Sequence, residues 1–186
     1  MSSSVNIQSS RNSDVSELSL ARIRAIALDV DGVLTDGAFW WGPDGQEWKR
    51  FSFADVMGVS LARKAGLTVA LISGENSPLV DRFALKMGIT DVHKNCKDKA
   101  DALRRFAEHG SLELDEICFM GDDVNDLAAL AIAGVAAAPA DARPVVLAKA
   151  AFVAKRGGGN GAVRELVDAV LQAREAPHLA AKGNPQ

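Results

Sequence analysis

Short apolar runs and helix-spaced patterns alternate along this chain. Ile23–Leu28 is an apolar run of strand length, and Thr68–Ile72, Glu116–Met120 and Val135–Ala138 repeat it further on. Weaker runs at Thr90–His93 and Phe152–Ala154 also read as strands. Between them, apolar residues recur at helical spacing in Val56–Ala65, ended by Gly66, and in a segment opened by Ser77-Pro78 and closed at Gly88. Further helices are predicted over Asp98–Glu108, Asn125–Ala131, Pro144–Lys149 and Ala162–Gln172. One stretch breaks the rhythm. Phe39-Trp40-Trp41, a Gly-Pro-Asp-Gly turn and Glu47–Phe53 read as a β-hairpin, a flap over about 38–53.

Strand and helix in alternation imply right-handed crossovers and an α/β fold with a doubly wound, mostly parallel sheet. Ligands of such sheets sit beyond the carboxyl ends of the strands, where the strand order reverses. The residues just after each strand are therefore the ones that matter for chemistry.

Composition narrows the class. The 186 residues favour one domain, and 48% hydrophobic with 24% charged residues is the mix of a water-soluble chain with a core of its own. A net charge of −3 gives no basic surface for nucleic acid or anionic membrane. No apolar stretch approaches the roughly 18 residues of a membrane span. Two cysteines, Cys96 and Cys118, are too few for a disulfide framework and suit a reducing compartment. The opening MSSSVNIQSSRNSD lacks the basic-then-apolar order of a signal peptide, so a cytoplasmic location is expected. Residues 1–20 and 174–186 read as flexible tails around a folded unit at 21–173.

The strand ends carry acids. After the first strand comes LDVDGVLTDG, with Asp29 and Asp31 two apart and so on one side of an extended chain. Ser73-Gly74 follows the second long strand, Lys99 opens a helix, and MGDDVND places Asp122, Asp123 and Asp126 after the third. Converging carboxylates repel unless a cation neutralises them, and an oxygen-only donor set points to a hard ion such as Mg²⁺. That ion beside a lysine and a hydroxyl suits a phosphate group, which an aspartate attacks to form an aspartyl-phosphate. Each motif alone has a plain structural reading: DxDG as a turn, GDDVND as an acidic helix start, Lys99 as a solvated lysine. Their joint placement at strand ends and helix starts, in this order, does not follow from turns alone. A receiver-type signalling domain remains an alternative, since it too binds Mg²⁺ and phosphorylates an aspartate; its acidic pair, however, stands on the first strand and its phosphorylated Asp on a later one. A dinucleotide site is disfavoured, because no GxGxxG follows the first strand. GGGNG at 157–161 lacks the Lys-Ser/Thr of a phosphate loop and reads as a tight approach into the last helix.

DxDG, Ser-Gly, Lys and GDDxxD resemble the four motifs of the haloacid-dehalogenase superfamily of phosphohydrolases. LDVDGVLTDG, the DGQEWKRF arm, DKADAL, GDDVNDLAAL and KRGGGNGAVREL resemble its 3-deoxy-D-manno-octulosonate (KDO) 8-phosphate phosphatase family, over roughly Ile23–Leu171. The resemblance implies Asp29 as nucleophile and metal ligand, and Asp31 as general acid and then base, with its carbonyl also on the metal. It implies Asp122 as the third Mg²⁺ ligand, with Ser73, Gly74 and Lys99 on the phosphate. Asp126 would orient Lys99 or a metal-bound water, and Asp123 and Asn125 would stand behind the ligands. Neither 30–72 nor 74–98 leaves room for the independent cap domain of about 50 residues that many relatives carry. The resemblance instead implies a homotetramer in which the aromatic hairpins, with Phe39, Trp40, Trp41, Trp48, Phe51 and Phe53, associate and cap neighbouring sites. The octulosonate branch usually has Gly-Arg where this chain has Gly74-Glu75. A sibling branch acting on nine-carbon acids, 2-keto-3-deoxynononate or N-acylneuraminate 9-phosphate, has Glu there, a Lys eleven positions later (Lys86) and an EWK arm. Glu75 is thus expected to accept hydrogen bonds from sugar hydroxyls or an N–H, and either sugar-acid phosphate stays open as substrate. His93, His109 and His178 read as surface residues.

Overall fold

The computed structural model describes residues 15–182. Six parallel strands form one sheet: β1 (Ala25–Leu28), β4 (Thr68–Ile72), β5 (Asp91–His93), β6 (Ile117–Met120), β7 (Val135–Ala138) and β8 (Phe152–Val153). A separate antiparallel pair, β2 (Trp40–Trp41) and β3 (Glu47–Trp48), makes the hairpin. The helices are α1 (Glu17–Ala21), α2 (Phe53–Lys64), α3 (Pro78–Met87), α4 (Lys99–Gly110), α5 (Leu127–Leu130), α6 (Pro144–Leu147) and α7 (Ala162–Lys182).

The order across the sheet is β5-β4-β1-β6-β7-β8. From β1 the chain winds outward through β4 and β5, then returns to β6 and winds the other way. The reversal falls between β1 and β6, so their carboxyl ends open the crevice that this topology dictates.

Side-chain alternation builds a core on each face. Ile26, Leu28, Val69, Leu71, Cys118 and Met120 point to the layer of α2, α3 and α7. Ala25, Ala27, Ala70, Ile72, Ile117 and Phe119 meet α4 through Leu103 and Phe106. A strand buried on both sides has no polar position left, which explains why these segments read as unbroken apolar runs.

The predicted caps are present. The Ser77 hydroxyl accepts from the Leu79 amide with Pro78 behind it, and Gly88 ends α3 in the left-handed region at φ 64°. Three expectations need correction. Residues 17–20, assigned to a flexible tail, form α1 together with Ala21: Ser16 caps it, and Leu20 buries against the α2–α7 layer with Val15 and Ala21 packed beside it, a stretch too short to show as a pattern. The last helix continues through Lys182 rather than stopping near residue 173, with Ala173 buried and Arg174 donating to the Ala65 carbonyl. His93 is half-buried on the edge strand, where burial and the nearby Arg105 lower its pKa, while His109 is exposed and faces Asp91. The side chain of His178, residues 1–14 and residues 183–186 lie outside the described residues. Among those described, no helix is long and apolar enough to cross a membrane.

Candidate active site

Asp29 follows β1 directly. Its amide donates to Met120 O across to β6, and its side chain is buried. Lys99, the first residue of α4, reaches under the strand ends with its side chain 1% exposed, and its Nζ lies 2.8 Å from Asp29 Oδ1 and 2.6 Å from Asp126 Oδ1. Asp126 is fully buried, and its second oxygen accepts from the amides of Asp122 (2.9 Å) and Asp123 (3.2 Å). Both Asp126 oxygens are therefore engaged. It anchors Lys99 and the 122–123 turn, whereas the Asp29 and Asp122 side chains line the crevice itself.

The carboxylates of Asp29, Asp122 and Asp126 offer oxygens within 4.8 Å of one another. Burial pushes the Asp29 carboxyl up to about 8, held down by Lys99 and raised further by Asp126. Asp122 is pushed up to about 6 by burial and by Asp126 and Asp123. Three acids face one ammonium, so the cluster is short of positive charge. An oxygen-only set with that deficit fits a hard divalent cation. The carboxylate of Asp31 stands outside this cluster; any part it takes in holding a metal falls to its main-chain carbonyl.

Two close approaches shape the turn that carries Asp31. Gly32 has φ 90°, and a Cβ there would stand 2.2 Å from Asp122 Oδ2. The 157–161 loop packs behind: a Cβ on Gly158 would fall 1.9 Å from the Gly32 carbonyl, and Gly159 N donates to Val33 O. The loop is a buttress for the DxDG turn. It is itself held by buried Asp55, which accepts from the amides of Gly161 and Arg164.

Ser73 is buried at the end of β4, and its hydroxyl oxygen accepts from the Glu75 amide at 3.1 Å. That leaves the hydroxyl proton free to donate. Gly74, Glu75 and Asn125 line a crevice of about 630 Å³ whose deeper wall is Asp29, Asp31, Lys99 and Asp122. Asp123 also lines it, with its carboxyl held below the usual range by the Val124 amide and by Arg143. Asp29, Asp31, Gly74, Glu75, Lys99, Asp122, Asp123 and Asn125 thus line one crevice, with Asp126 buried against Lys99 and Ser73 buried beside Gly74; Lys86 stands apart. Lys86 is not brought to the crevice of its own chain: α3 begins at the crevice and runs away from it, and Lys86 lies about 12 Å along its axis from Pro78. Its ammonium sits 5.7 Å from the centre of the Phe53 ring, beside an apolar recess formed with Trp48, Phe51 and Phe83.

Two residues were not picked out from the sequence. Lys49, just past β3, is 4% exposed at its side chain and places Nζ 2.8 Å from Asp31 Oδ1 and 3.5 Å from Glu47 Oε1. Burial works against its charge, but the two carboxylates prevail and raise its pKa. Its signal was present: Glu47 and Lys49, two apart on an extended arm, share one side. Arg143 lines the rim, its amide bonded to Asp122 O and its Nε 3.3 Å from Asp123 Oδ2. Nothing in its local sequence sets it apart from a surface arginine.

Residues 50–166 match the model of the haloacid dehalogenase-like hydrolase family. The 3-deoxy-D-manno-octulosonate 8-phosphate phosphatase of Yersinia pestis is 35% identical over 155 residues, 83% of each chain. A crystal structure of the Y. pestis phosphatase superposes with a TM-score of 0.84 at 34% identity, covering 86% of each chain. That of the Moraxella catarrhalis phosphatase, in complex with a magnesium ion, a phosphate ion and KDO, gives 0.83 at 31% identity over 90% of this chain and 97% of that one. These likenesses set the receiver alternative aside: this chain belongs to the haloacid dehalogenase-like hydrolase family.

Proposed function

We propose that this protein is a magnesium-dependent phosphomonoesterase that removes the terminal phosphate of a 3-deoxy-2-ulosonic acid. The observation that carries the reading is the buried Lys99 ammonium held between Asp29 and Asp126, beside an Asp122 that is short of positive charge. That surplus of acid calls for a divalent cation, and such a cation together with Lys99 would supply the positive charge that a phosphate group needs. The names and bound species of the Y. pestis and M. catarrhalis relatives supply the substrate class.

Asp29 attacks phosphorus and forms an aspartyl-phosphate while Asp31 gives a proton to the departing sugar oxygen. Asp31 then takes a proton from water, which attacks the same phosphorus and frees Asp29 and inorganic phosphate. Ser73 donates its hydroxyl proton to a phosphoryl oxygen, the Gly74 amide assists, and Lys99 faces the charge that gathers in transfer. Asp29, Asp122 and the Asp31 main chain would hold magnesium, which when bound would offset charge on the transferring group.

Glu75 at the exposed edge of the crevice favours a hydroxyl-rich tail over a carboxylate there, which supports a nine-carbon acid 9-phosphate beside the octulosonate 8-phosphate. The exposed rings of Phe39, Trp40, Trp41, Trp48 and Phe53 support association through the hairpins into a homotetramer, and Lys86 lies within that face. Cys96 and Cys118 are both free thiols, in keeping with a cytoplasmic setting. The test is phosphate release from the octulosonate 8-phosphate and the nine-carbon 9-phosphates with Mg²⁺. Turnover lost on adding EDTA supports the reading, and indifference to EDTA or to the acid substrates overturns it.

A further inference from the structure

Asp31 is held in an unusual way. Its Oδ1 meets the buried Lys49 ammonium at 2.8 Å, while Oδ2 is buried and has no hydrogen-bond partner. A carboxylate oxygen left bare inside a protein is a cost that folding normally removes, and here the crevice lies beside it. Lys49 does not come from the sheet that carries Asp31. It comes from the hairpin arm, whose Phe51 stacks on Phe83 of α3 with ring centres 4.7 Å apart, and its charge is shared with Glu47 of the same arm.

Two lysines with covered side chains therefore serve the acids of the crevice, Lys99 from its lining and Lys49 from the hairpin beside it. Lys99 faces Asp29 and Asp126; Lys49 faces Asp31 alone among the crevice acids. We propose that Lys49 is a positioning residue for Asp31: by gripping Oδ1 of a carboxylate whose Oδ2 has no partner, it sets how the carboxyl is turned toward the departing oxygen of the substrate. Seating of the hairpin arm is thereby coupled to proton delivery. The inference rests on the acid–base role given to Asp31 in the proposed function, and its test keeps the two apart.

The experiment compares kcat/KM, which covers steps through departure of the leaving group, on a sugar-acid phosphate and on p-nitrophenyl phosphate, whose leaving group departs without a proton. The proteins are full-length wild type, Lys49→Met, Lys49→Arg and Asp31→Asn. Both rates are read on the same sample, so a fraction of unfolded enzyme cancels in their ratio. Lys49→Met is expected to lose about 30-fold on the sugar-acid phosphate and about 3-fold or less on p-nitrophenyl phosphate, with Lys49→Arg recovering part of the difference. Magnesium affinity by calorimetry should stay within about 3-fold of wild type. Equal losses on both substrates would reduce Lys49 to a pin for the hairpin, and a large fall in magnesium affinity would move its effect to the metal; either overturns the proposal. If Asp31→Asn discriminates between the substrates and both Lys49 variants do not, the positioning role fails while the acid–base reading stands. If Asp31→Asn itself does not discriminate, the acid–base reading fails and takes the positioning role with it.

Discussion

The floor of the crevice and the hairpin beside it solve opposite problems. At the floor, Asp29, Lys99 and Asp126 come from the ends of β1, the start of α4 and the turn after β6, and all three are almost wholly buried. Their positions are fixed by the register of the sheet, in which Leu28 stands opposite Met120. The hairpin has only two residues in each strand and leaves Trp41 72% exposed, yet it delivers one buried ammonium to Asp31. The first region owes its geometry to the fold, the second to a few side chains on an arm. Chemistry common to a superfamily belongs in the first, and features that differ between its members can change in the second without disturbing the sheet.

The largest effects should come from the floor. Asp29→Asn removes the nucleophile but keeps the shape, so turnover is expected to fall by about 10⁴-fold or more, with unfolding by urea little changed. Retained turnover would relocate the nucleophile. Lys99→Met should act on stability as well, since it strands two buried carboxylates; a loss of about 3–5 kcal/mol in urea unfolding at pH 8 is expected. A loss under about 1 kcal/mol would mean that the acids are not held by Lys99.

The same floor predicts a pH signature for the metal-free protein. Asp29 and Asp122 are pushed up to about 8 and about 6, so the native state binds protons that the unfolded chain has released. Their contribution is fully present below the ordinary carboxyl value of 3.8 and is lost as pH rises through about 6 and then about 8. After EDTA, Tm should therefore fall between about pH 5 and pH 9, and Mg²⁺ should flatten the decline. A Tm that rises across that range would place the acids in a different electrostatic state.

What was legible in the sequence divides along the same line. Asp29, Asp122, Ser73 and Lys99 were readable because strand ends and helix starts are marked by apolar runs, caps and glycines, and a doubly wound sheet says where those ends meet. Lys49 was not readable, because its role depends on the arm folding back over the DxDG turn, a contact that no local pattern records. Lys86 was placed by analogy, and the axis of α3 carries it away from its own crevice. Leu20, with Val15 and Ala21, and Arg174, next to buried Ala173, extend the fold at both ends through a few contacts, too sparse to register as periodicity.

The hairpin gives smaller effects of another kind. Trp41→Glu should leave unfolding within about 0.5 kcal/mol of wild type, since the ring is mostly in solvent. Sedimentation should nevertheless shift toward smaller species. An unchanged assembly would show that copies do not meet through this face.

The smallest effect, on the identity of the substrate, is expected at Glu75. It lies at the exposed edge of the crevice, its amide bonded to the Ser73 hydroxyl and its carbonyl accepting from Asn95, so its backbone is fixed while its side chain reaches solvent. A charge in that position acts through water and salt, which limits it to a modest preference. Glu75→Arg should raise kcat/KM for the octulosonate 8-phosphate relative to a nine-carbon 9-phosphate by about five- to tenfold at low salt, and the gain should shrink at 0.5 M salt. Turnover of p-nitrophenyl phosphate should not move, because that substrate places nothing against residue 75. A uniform change on all three substrates would mean that the substitution disturbs Ser73 through the shared backbone, and substrate choice would then have to be sought elsewhere on the rim, first at Arg143.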